Sequence, residues 1–295
     1  MTPSKPYPWE TARWKAGAQG RNAGSRQPTA VSTILRRLDR SADSVPSLWP
    51  VEGRDGHGYR IRVASDRKSR ERAYRLAQKV YEESAYAAGG PEAVSVHDYD
   101  ALPETFTLLV EDESGAAVAT VTLVFDGDRG LPCDEIYAEE LRELRQQGRR
   151  LVEVTRLAIS SENRNNIDLL LSMFNFIYIF ARRVRNHSDF VIEVNPRHVK
   201  YYRRLLRFQI VGPERPCPRV QGAPAVLMGL DMARAEEEIQ HARRDAPRPR
   251  KAPKKNLFAH AMGPREEYSV ARFLSLRHLP MSPEEKQYFN VGTSA

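Results

Sequence analysis

The sequence predicts an α/β protein in which helices flank a mixed central sheet and a helical extension follows at the C-terminal end. Residues 151–212 show the order β–α–β–α–β, which requires at least one parallel strand pair. Residues 105–127 have the pattern of a β-hairpin with a turn at 113–115. The segment 167–181 is apolar nearly all the way round, which is typical of a helix buried against a sheet.

The other elements follow from local patterns. Residues 58–64 alternate as a short strand, and residues 66–86 repeat apolar side chains at three- and four-residue spacing, which predicts an amphipathic helix. A helix is predicted from residue 133, and Gly148 ends it. The chain then adds a strand, a helix and two further strands, at 189–195, 197–208, 208–212 and 223–232.

Composition divides the chain into four parts. Residues 1–55 are rich in Pro, Ser, Gly, Arg and Ala, so we expect a mobile N-terminal extension, with order beginning at the strand 58–64. The main domain is predicted at 56–232. A solvated helix and a basic, Pro-rich linker follow at 233–255, and the helical tail 256–295 is expected to dock on the main domain.

Composition also limits the class of protein. The longest apolar stretch is too short to cross a membrane, and the first residues lack the apolar segment of a secretion signal. Cys133 and Cys217 form neither a metal-ligand spacing nor a disulfide framework. We therefore expect a cytoplasmic protein. The net charge of +8 implies an acidic partner, for which nucleic acid, an anionic membrane surface and an acidic carrier protein all qualify.

The strand 151–159 has two charges inside an otherwise apolar alternation. Glu153 and Arg156 have opposite parity, so a regular strand points them to opposite faces. The polar loop 160–166 then precedes a helix that begins near Ile167, and a helix N-terminus of this kind suits a phosphate group. The alternative is a strand whose charges only reach solvent or each other.

The loop 97–100, with the sequence HDYD, carries two aspartates. Asp98 and Asp100 lie two residues apart, but a third metal ligand is missing nearby. Turn-forming aspartates are therefore favoured over a metal site.

Three stretches carry a resemblance to a known family. Residues 153–159 (EVTRLAI) resemble the strand E-x-[ST]-R-[FL]-x-[VI], and residues 197–231 resemble the pattern H-x-x-F-Y-R-R-x-L-G-F with its following GAPAVLL-like strand. The loop 97–100 resembles an acidic loop. Over roughly 58–232 the chain thus resembles the GNAT superfamily, specifically the bacterial long-chain N-acyl amino acid synthases, which are related to the acyl-homoserine-lactone synthases.

The sequence departs from these patterns at three positions. Arg207 replaces the glycine of L-G-F. Ala77, four residues before Tyr81, replaces an arginine of the lactone synthases, and His97 replaces the first aspartate of their acidic loop. These departures argue against lactone synthesis and leave the amino-acid specificity open.

The resemblance implies attack of an α-amine on an acyl thioester. Glu153 is then expected to accept the amine proton, and Arg156 to fix Glu153, the acidic loop or a substrate carboxylate. Because of their opposite parity, a bulge or splay between them belongs to the prediction. Tyr202, or its neighbour Tyr201, is expected to protonate the leaving thiolate. The alternatives are a structural ion pair, a surface arginine and a core aromatic side chain.

Further roles follow from the same resemblance. We expect substrate contacts, including backbone N–H groups, at Tyr99, Asp100, Thr155, Leu157, Ala158 and Ile159. An acyl chain is expected along Met173 and Phe174, for which core packing is the alternative. A docking surface for an acidic carrier protein is expected at Arg182, Arg183, Lys200, Arg203 and Arg204, for which a solvated helix face is the alternative.

The predicted function is an N-acyltransferase that moves a long-chain fatty acyl group from acyl carrier protein to an amino acid. The loop 160–166 lacks the glycines of the usual coenzyme-A loop, which favours a phosphopantetheine-linked donor carried on a protein. No bound cofactor, metal or nucleic acid is expected, and peripheral membrane association through the acyl product is left open. The alternatives are a coenzyme-A-dependent acetyltransferase and a non-catalytic nucleic-acid-binding protein.

Overall fold

The computed structural model describes residues 47–52, 58–87, 93–245 and 257–292. Within these ranges an eight-stranded mixed sheet has the order β1-β2-β3-β4-β5-β6-β8-β7. The fold class predicted from the sequence is confirmed. The strands are β1 (Trp49–Glu52), β2 (Gly58–Val63), β3 (Thr105–Asp112), β4 (Ala117–Phe125), β5 (Leu151–Ile159), β6 (Asp189–Val194), β7 (Gln209–Cys217) and β8 (Ala223–Asp231).

Helices flank the sheet and form the C-terminal part. They are α1 (Arg67–Glu83), α2 (Asp134–Gln146), α3 (Ile167–Tyr178), α4 (Pro196–Leu205), α5 (Met232–Asp245), α6 (Pro264–Arg277) and α7 (Pro283–Phe289). A π-helical segment, Ile179–Val184, continues α3. Asp66 caps α1 and Asn166 caps α3 through their side chains, so the predicted helix starts have a local physical cause.

The parallel pair of the sheet is short. Leu151–Glu153 of β5 pair with Asp189–Val191 of β6, and no further pairing of these two strands occurs within the described residues. The other strand pairs are antiparallel. Beyond Glu153 the two strands separate, and β6 continues only against β8. The sheet therefore opens a gap at the carboxyl end of its parallel pair, where α/β proteins place ligands.

A β-bulge interrupts β5 just after this point. Thr155 pairs with Thr122 and Ala158 with Thr120, so two residues of β5 lie opposite a single residue of β4. The first of the two, Arg156, has φ of 48°, in the left-handed region. The bulge changes the parity of the strand and turns Arg156 to the face that carries Glu153. The bulge or splay predicted between these two charges is confirmed.

The two faces of the sheet differ in what covers them. α1 and α2 cover the face that carries Leu109, Val124 and Glu153, in two smaller apolar clusters. The main core lies on the other face, where Val152 and Val154 pack against the segments of α3 and α6. Both charged residues of β5 thus lie on the face with the smaller cores.

One prediction about the N-terminal region was wrong. Order does not begin at residue 58, because β1 pairs antiparallel with β2 as the edge strand. Trp49 anchors it, with ring centroids 6.1 Å from Phe176 and 5.6 Å from Phe273. The rest of the predicted extension, residues 1–46 and 53–55, and residues 246–255 of the predicted linker segment lie outside the described residues.

The C-terminal helices pack against both faces. Phe273 of α6 is buried in the main core. Phe289 of α7 contacts Tyr74 of α1 edge-on, and Glu285 forms an ion pair with Arg70. Within the described segments, none of the helices has both the length and the apolar character needed to cross a membrane.

Candidate active site

Glu153 lies at the last paired position of β5, where the strands begin to separate. Only 2 % of it is exposed, and the backbone N–H of Cys133 donates to its Oε2 over 2.8 Å. Burial and the neighbouring Glu193 raise the pKa of Glu153 to about 8, against the lowering effects of Cys133 and Arg219. A carboxyl group with such a pKa can exchange protons with an amine near neutral pH.

Two charged residues beside Glu153 were missed by the sequence analysis. Glu193 lies two residues beyond Val191, the β6 residue that pairs with Glu153. Arg219, in the turn between β7 and β8, forms ion pairs with Glu193 and with Glu135. The guanidinium also donates to the carbonyl of Pro132 over 2.7 Å, directly before the N–H that Glu153 accepts.

Arg156 and Asp100 form the second ionic group of this face. The Arg156 guanidinium donates to Asp100 Oδ2 and to the Ser95 carbonyl, each over 2.7 Å. It also lies 4.8 Å from the ring centroid of Tyr74. The side chains of Arg156 and Asp100 are 4 % and 0 % exposed, respectively. Of the partners expected for Arg156, the structure selects the acidic loop.

The two aspartates of the loop point in different directions. Asp100 accepts the backbone N–H of His97 over 2.8 Å inside a short 3₁₀ turn. Asp98 is half exposed and pairs with Arg129 at 3.0 Å. Among the residues that the structure describes, no group of three His, Cys, Asp or Glu side chains is placed to hold a metal ion.

Tyr202 lies on α4, within a cluster of aromatic side chains. Its ring centroid is 5.8 Å from that of Phe208 and 5.7 Å from that of Tyr201. Burial and the neighbouring Tyr201 and Tyr81 raise the pKa of Tyr202, so its phenol keeps its proton at neutral pH. Tyr81 of α1 interacts with the backbone of Arg156, so phenol groups extend from α4 to the bulge. The sequence marked Tyr81 only as an aromatic position.

Comparisons with known proteins address the family. The model of the family described as "N-acyl amino acid synthase FeeM" matches residues 72–231, more than half of the 295-residue chain. The chain belongs to the N-acyl amino acid synthase family. The synthase is therefore an enzyme, an N-acyltransferase, as the resemblance implied. A comparison with curated proteins gives no match.

Three solved structures are similar to this chain. FeeM, an N-acyl amino acid synthase from uncultured soil microbes, is 24 % identical with a TM-score of 0.53, over 61 % of this chain and 94 % of that chain. The acyl-homoserine-lactone synthase LasI is 15 % identical with a TM-score of 0.45, over 60 % and 91 %. BjaI, a coenzyme-A-dependent lactone synthase, is 16 % identical with a TM-score of 0.46, over 68 % and 97 %. The match to FeeM shows that the synthase has the fold of that enzyme.

The bulged end of β5 contains the residues predicted to contact the substrate through their backbone. Ala158 is buried and Ile159 half-buried, and both pair with β4 on one side. On the side toward β6, no described strand pairs with this part of β5. Thr155 and Leu157 are half-buried, as is Tyr99, whose ring lies 5.2 Å from the Arg129 guanidinium. A substrate contact at these positions stays a prediction.

The predicted acyl-chain residues lie in or beside the main core. Met173 has no exposed surface and packs within the main core. Phe174 is half-buried at its edge. Their packing is that of core residues, and an acyl-binding role stays a prediction.

The predicted docking cations fall into two groups. Arg182 and Arg183 form ion pairs with Glu236, and Arg183 also pairs with Glu267. The others lie exposed on α4, and no carboxylate among the described residues pairs with them: Lys200, Arg203 and Arg204. The structure therefore does not leave the whole predicted set free for a partner.

The loop before α3 is tied to the sheet. Asn166 accepts the N–H of Leu169 over 3.0 Å and donates to the Tyr59 hydroxyl over 2.8 Å. Tyr59 in turn donates to Asn163 over 3.1 Å. A phosphate at this loop stays a prediction.

Proposed function

We propose that the synthase moves a long-chain fatty acyl group from acyl carrier protein to the α-amine of an amino acid. The observation that carries the proposal is the family match over 72–231, joined to Glu153 at the mouth of the strand gap. The family match shows neither the length of the acyl chain nor the carrier protein as donor. The long acyl chain is proposed from the sequence, and the carrier protein from the sequence and the exposed cations of α4.

Glu153 is the proposed proton acceptor of the reaction, and Tyr202 is the proposed proton donor. The ammonium group loses a proton to Glu153, and the free amine forms a C–N bond with the thioester carbonyl carbon. The tetrahedral intermediate then breaks its C–S bond, and the thiolate takes a proton, for which Tyr202 is the proposed donor. The nitrogen of the intermediate loses its second proton to solvent, which returns one proton to Tyr202, and Glu153 releases the first proton to solvent. The products are the N-acyl amino acid, the free thiol of the carrier and one proton in solvent.

Two observations support a donor carried on a protein. The loop 160–166 contains no glycine, whereas the loops that hold the pyrophosphate of coenzyme A are rich in glycine. The exposed cations Lys200, Arg203 and Arg204 offer an acidic carrier a positive surface near Tyr202 on the same helix. Carrier binding is therefore proposed at α4, without Arg182 and Arg183.

The direct test supplies the purified protein with the twenty amino acids and one of three donors. These are a long-chain acyl carrier protein, the same acyl group on coenzyme A, and acetyl-coenzyme A. Mass spectrometry of the products is expected to show a long-chain N-acyl amino acid, formed fastest from the carrier protein. No N-acyl amino acid from any donor would refute the proposal, and turnover with acetyl-coenzyme A alone would favour an acetyltransferase.

A second experiment addresses the docking surface. Reversing the charge of Lys200, Arg203 and Arg204 to Glu should lower kcat/KM for the carrier-bound donor about tenfold or more, because positive charge steers the acidic carrier. The same acyl group on coenzyme A should change less. Arg142→Glu is the matched control, since Arg142 is an exposed arginine of α2. An equal loss with both donors would contradict docking at α4.

A further inference from the structure

Glu193 and Glu153 project from adjacent strands on the same face of the sheet. Glu153 pairs with Val191, and Glu193 follows Val191 by two residues, so strand alternation returns it to that face. Glu193 also pairs with Leu227, which belongs to the apolar cluster under α2 that contains Leu151. The two carboxyl groups therefore lie on either side of the point where β5 and β6 separate.

Only one of the two carboxylate oxygens of Glu193 has a hydrogen-bond partner among the described residues. Its Oε2 accepts from the Arg219 guanidinium. Its Oε1 is buried and has no hydrogen-bond partner among the described residues. A buried carboxylate oxygen without a hydrogen-bond donor destabilises the folded protein, because the oxygen has lost its water contacts and no protein hydrogen bond replaces them. This oxygen has the chemistry to accept a hydrogen bond from a cation that arrives from outside.

The charge balance also favours an additional cation. Three carboxyl groups, from Glu135, Glu153 and Glu193, interact with the single guanidinium of Arg219. Other titratable neighbours include thiols and phenols whose pKa is raised, mainly by burial, and which are neutral near pH 7: Tyr81, Tyr99, Cys133, Tyr137 and Cys217. Burial also lowers the pKa of His97, which interacts with Arg219, so this imidazole adds no positive charge near pH 7. A compact ammonium group would bring this cluster closer to neutrality.

We propose that Glu193 is a substrate-binding residue that holds the ammonium group of the acceptor beside Glu153, and that Arg219 positions it. This inference rests on the proposed function and assigns the acceptor's amine to a specific pair of carboxylates. An ammonium group has three N–H donors, so it can be held by Glu193 through one while another faces Glu153. The proton then passes from nitrogen to the Glu153 carboxylate, which leaves a neutral amine and a carboxylic acid.

Arg219 acts through its neighbours. By pairing with Oε2 of Glu193, it fixes the carboxylate plane so that Oε1 faces away from the guanidinium. By donating to the Pro132 carbonyl, it also holds the segment whose next N–H, from Cys133, binds Glu153. One guanidinium therefore orients both carboxyl groups, and it is a positioning residue rather than a catalytic one.

The kinetic test uses Glu193→Gln, which keeps an oxygen for Arg219 but removes the charge that would bind the ammonium. We expect KM for the amino acid to rise at least about tenfold, because the ammonium group loses a charge-assisted hydrogen bond. KM for the acyl donor should stay within about twofold. Glu139→Gln is the matched control, since Glu139 is an exposed glutamate of α2 outside this cluster and its change should leave both constants nearly unchanged. An equal rise in both constants, or none, would overturn the proposal.

A second readout does not depend on turnover or on a variant. The protein carrying ¹³C-labelled glutamate side chains is titrated with the twenty amino acids, and separately with their N-acetylated forms, whose amine is blocked. The Glu193 and Glu153 carboxyl resonances should move with the free amines only. Equal responses to both mixtures would refute ammonium binding here. If the wild type responds in this way but makes no N-acyl amino acid, the proposed reaction fails while the amine site stands.

Discussion

Two buried ionic groups lie only three residues apart on β5, and they differ in charge balance. Around Arg156, one guanidinium meets one carboxylate, Asp100, and a backbone carbonyl. Around Glu153, three carboxyl groups interact with the one guanidinium of Arg219. A matched buried pair holds elements together, whereas an unmatched carboxyl group has a perturbed pKa and can exchange protons. We therefore propose a structural role for Arg156 and a chemical role for Glu153.

The contacts of Arg156 reduce the expected partners of this residue to one. Arg156 was expected to fix Glu153, the acidic loop or the substrate, and the structure gives it the loop. Glu153 is instead fixed by Cys133 and influenced by Arg219, which come from other parts of the chain. Four predictions test the comparison.

The largest effect is expected from Asp100→Asn. The change keeps the shape of the side chain but leaves the Arg156 guanidinium buried without a countercharge, which costs about 3–5 kcal/mol of unfolding free energy. Urea unfolding measures the loss. Asp98→Asn is the matched control, because Asp98 is half exposed and its pair with Arg129 should contribute less than about 1 kcal/mol. A loss of similar size in both variants would remove the structural role of the Arg156 pair.

Glu153→Gln should have a different effect, a large loss of rate with little loss of stability. The rate should fall at least about a hundredfold, equivalent to about 2.7 kcal/mol, because the amine has lost its proton acceptor. Stability should be retained, since an uncharged amide replaces a carboxyl group that burial already disfavours as an anion. Single-turnover kinetics measure the rate, and thermal unfolding checks the fold. Near-normal turnover would exclude Glu153 as the base.

In the wild type, the unfolding free energy and kcat/KM should both change with pH as Glu153 titrates. Its pKa is raised from 4.5 to about 8 in the folded protein, so the folded state binds the proton more tightly than the unfolded chain. The free energy of unfolding should therefore fall as pH rises between these values, by up to about 1.4 kcal/mol per pH unit, and level off above them. Over the same range kcat/KM should rise as the carboxylate forms.

The control for this pH dependence is Glu153→Gln, in which the contribution of this group to the slope should disappear. Urea unfolding of both proteins at several pH values between 5 and 9 measures the difference. If wild type and variant lose stability in parallel, Glu153 titrates as an ordinary surface carboxyl group, and the contrast with the balanced Arg156 pair is lost.

The smallest effect is expected at Arg207, which lies outside both ionic groups. It occupies the glycine position of the L-G-F pattern, and its φ of 61° is in the left-handed region that disfavours side chains. Arg207→Gly should raise the unfolding free energy by about 0.5–1 kcal/mol, as measured by urea unfolding, with the rate from a coenzyme-A donor unchanged. A loss of stability would show that the arginine makes a contact that offsets its backbone strain.

Local pattern in the sequence was enough to predict the central strand and its irregularity. Alternation predicted β5, and the opposite parity of Glu153 and Arg156 required a bulge if both were to serve one face. Apolar periodicity predicted α1, and a long apolar stretch after a polar loop predicted α3. These features depend on neighbours within a few residues, which a single sequence displays.

Features that depend on contacts between residues far apart in the sequence could not be predicted in this way. β1 has four residues, including Pro50, and owes its order to β2 and to the contacts of Trp49. Arg219 lies in a Pro-rich turn with no pattern of its own, and only the fold brings it to Glu193 and Glu135. A weak signal did exist for Glu193, a charge within the apolar run 189–194.

Trp49 also has a spectroscopic consequence. It is the only one of the chain's three tryptophans that lies within the described residues, and its indole rests on Phe273 of the C-terminal helix α6. Emission from an indole shifts to longer wavelength when water replaces aromatic neighbours. In a protein with Trp9 and Trp14 changed to Phe, fluorescence would therefore report whether the first strand and the C-terminal helix stay together. The contact thus provides a built-in optical probe for every variant discussed above.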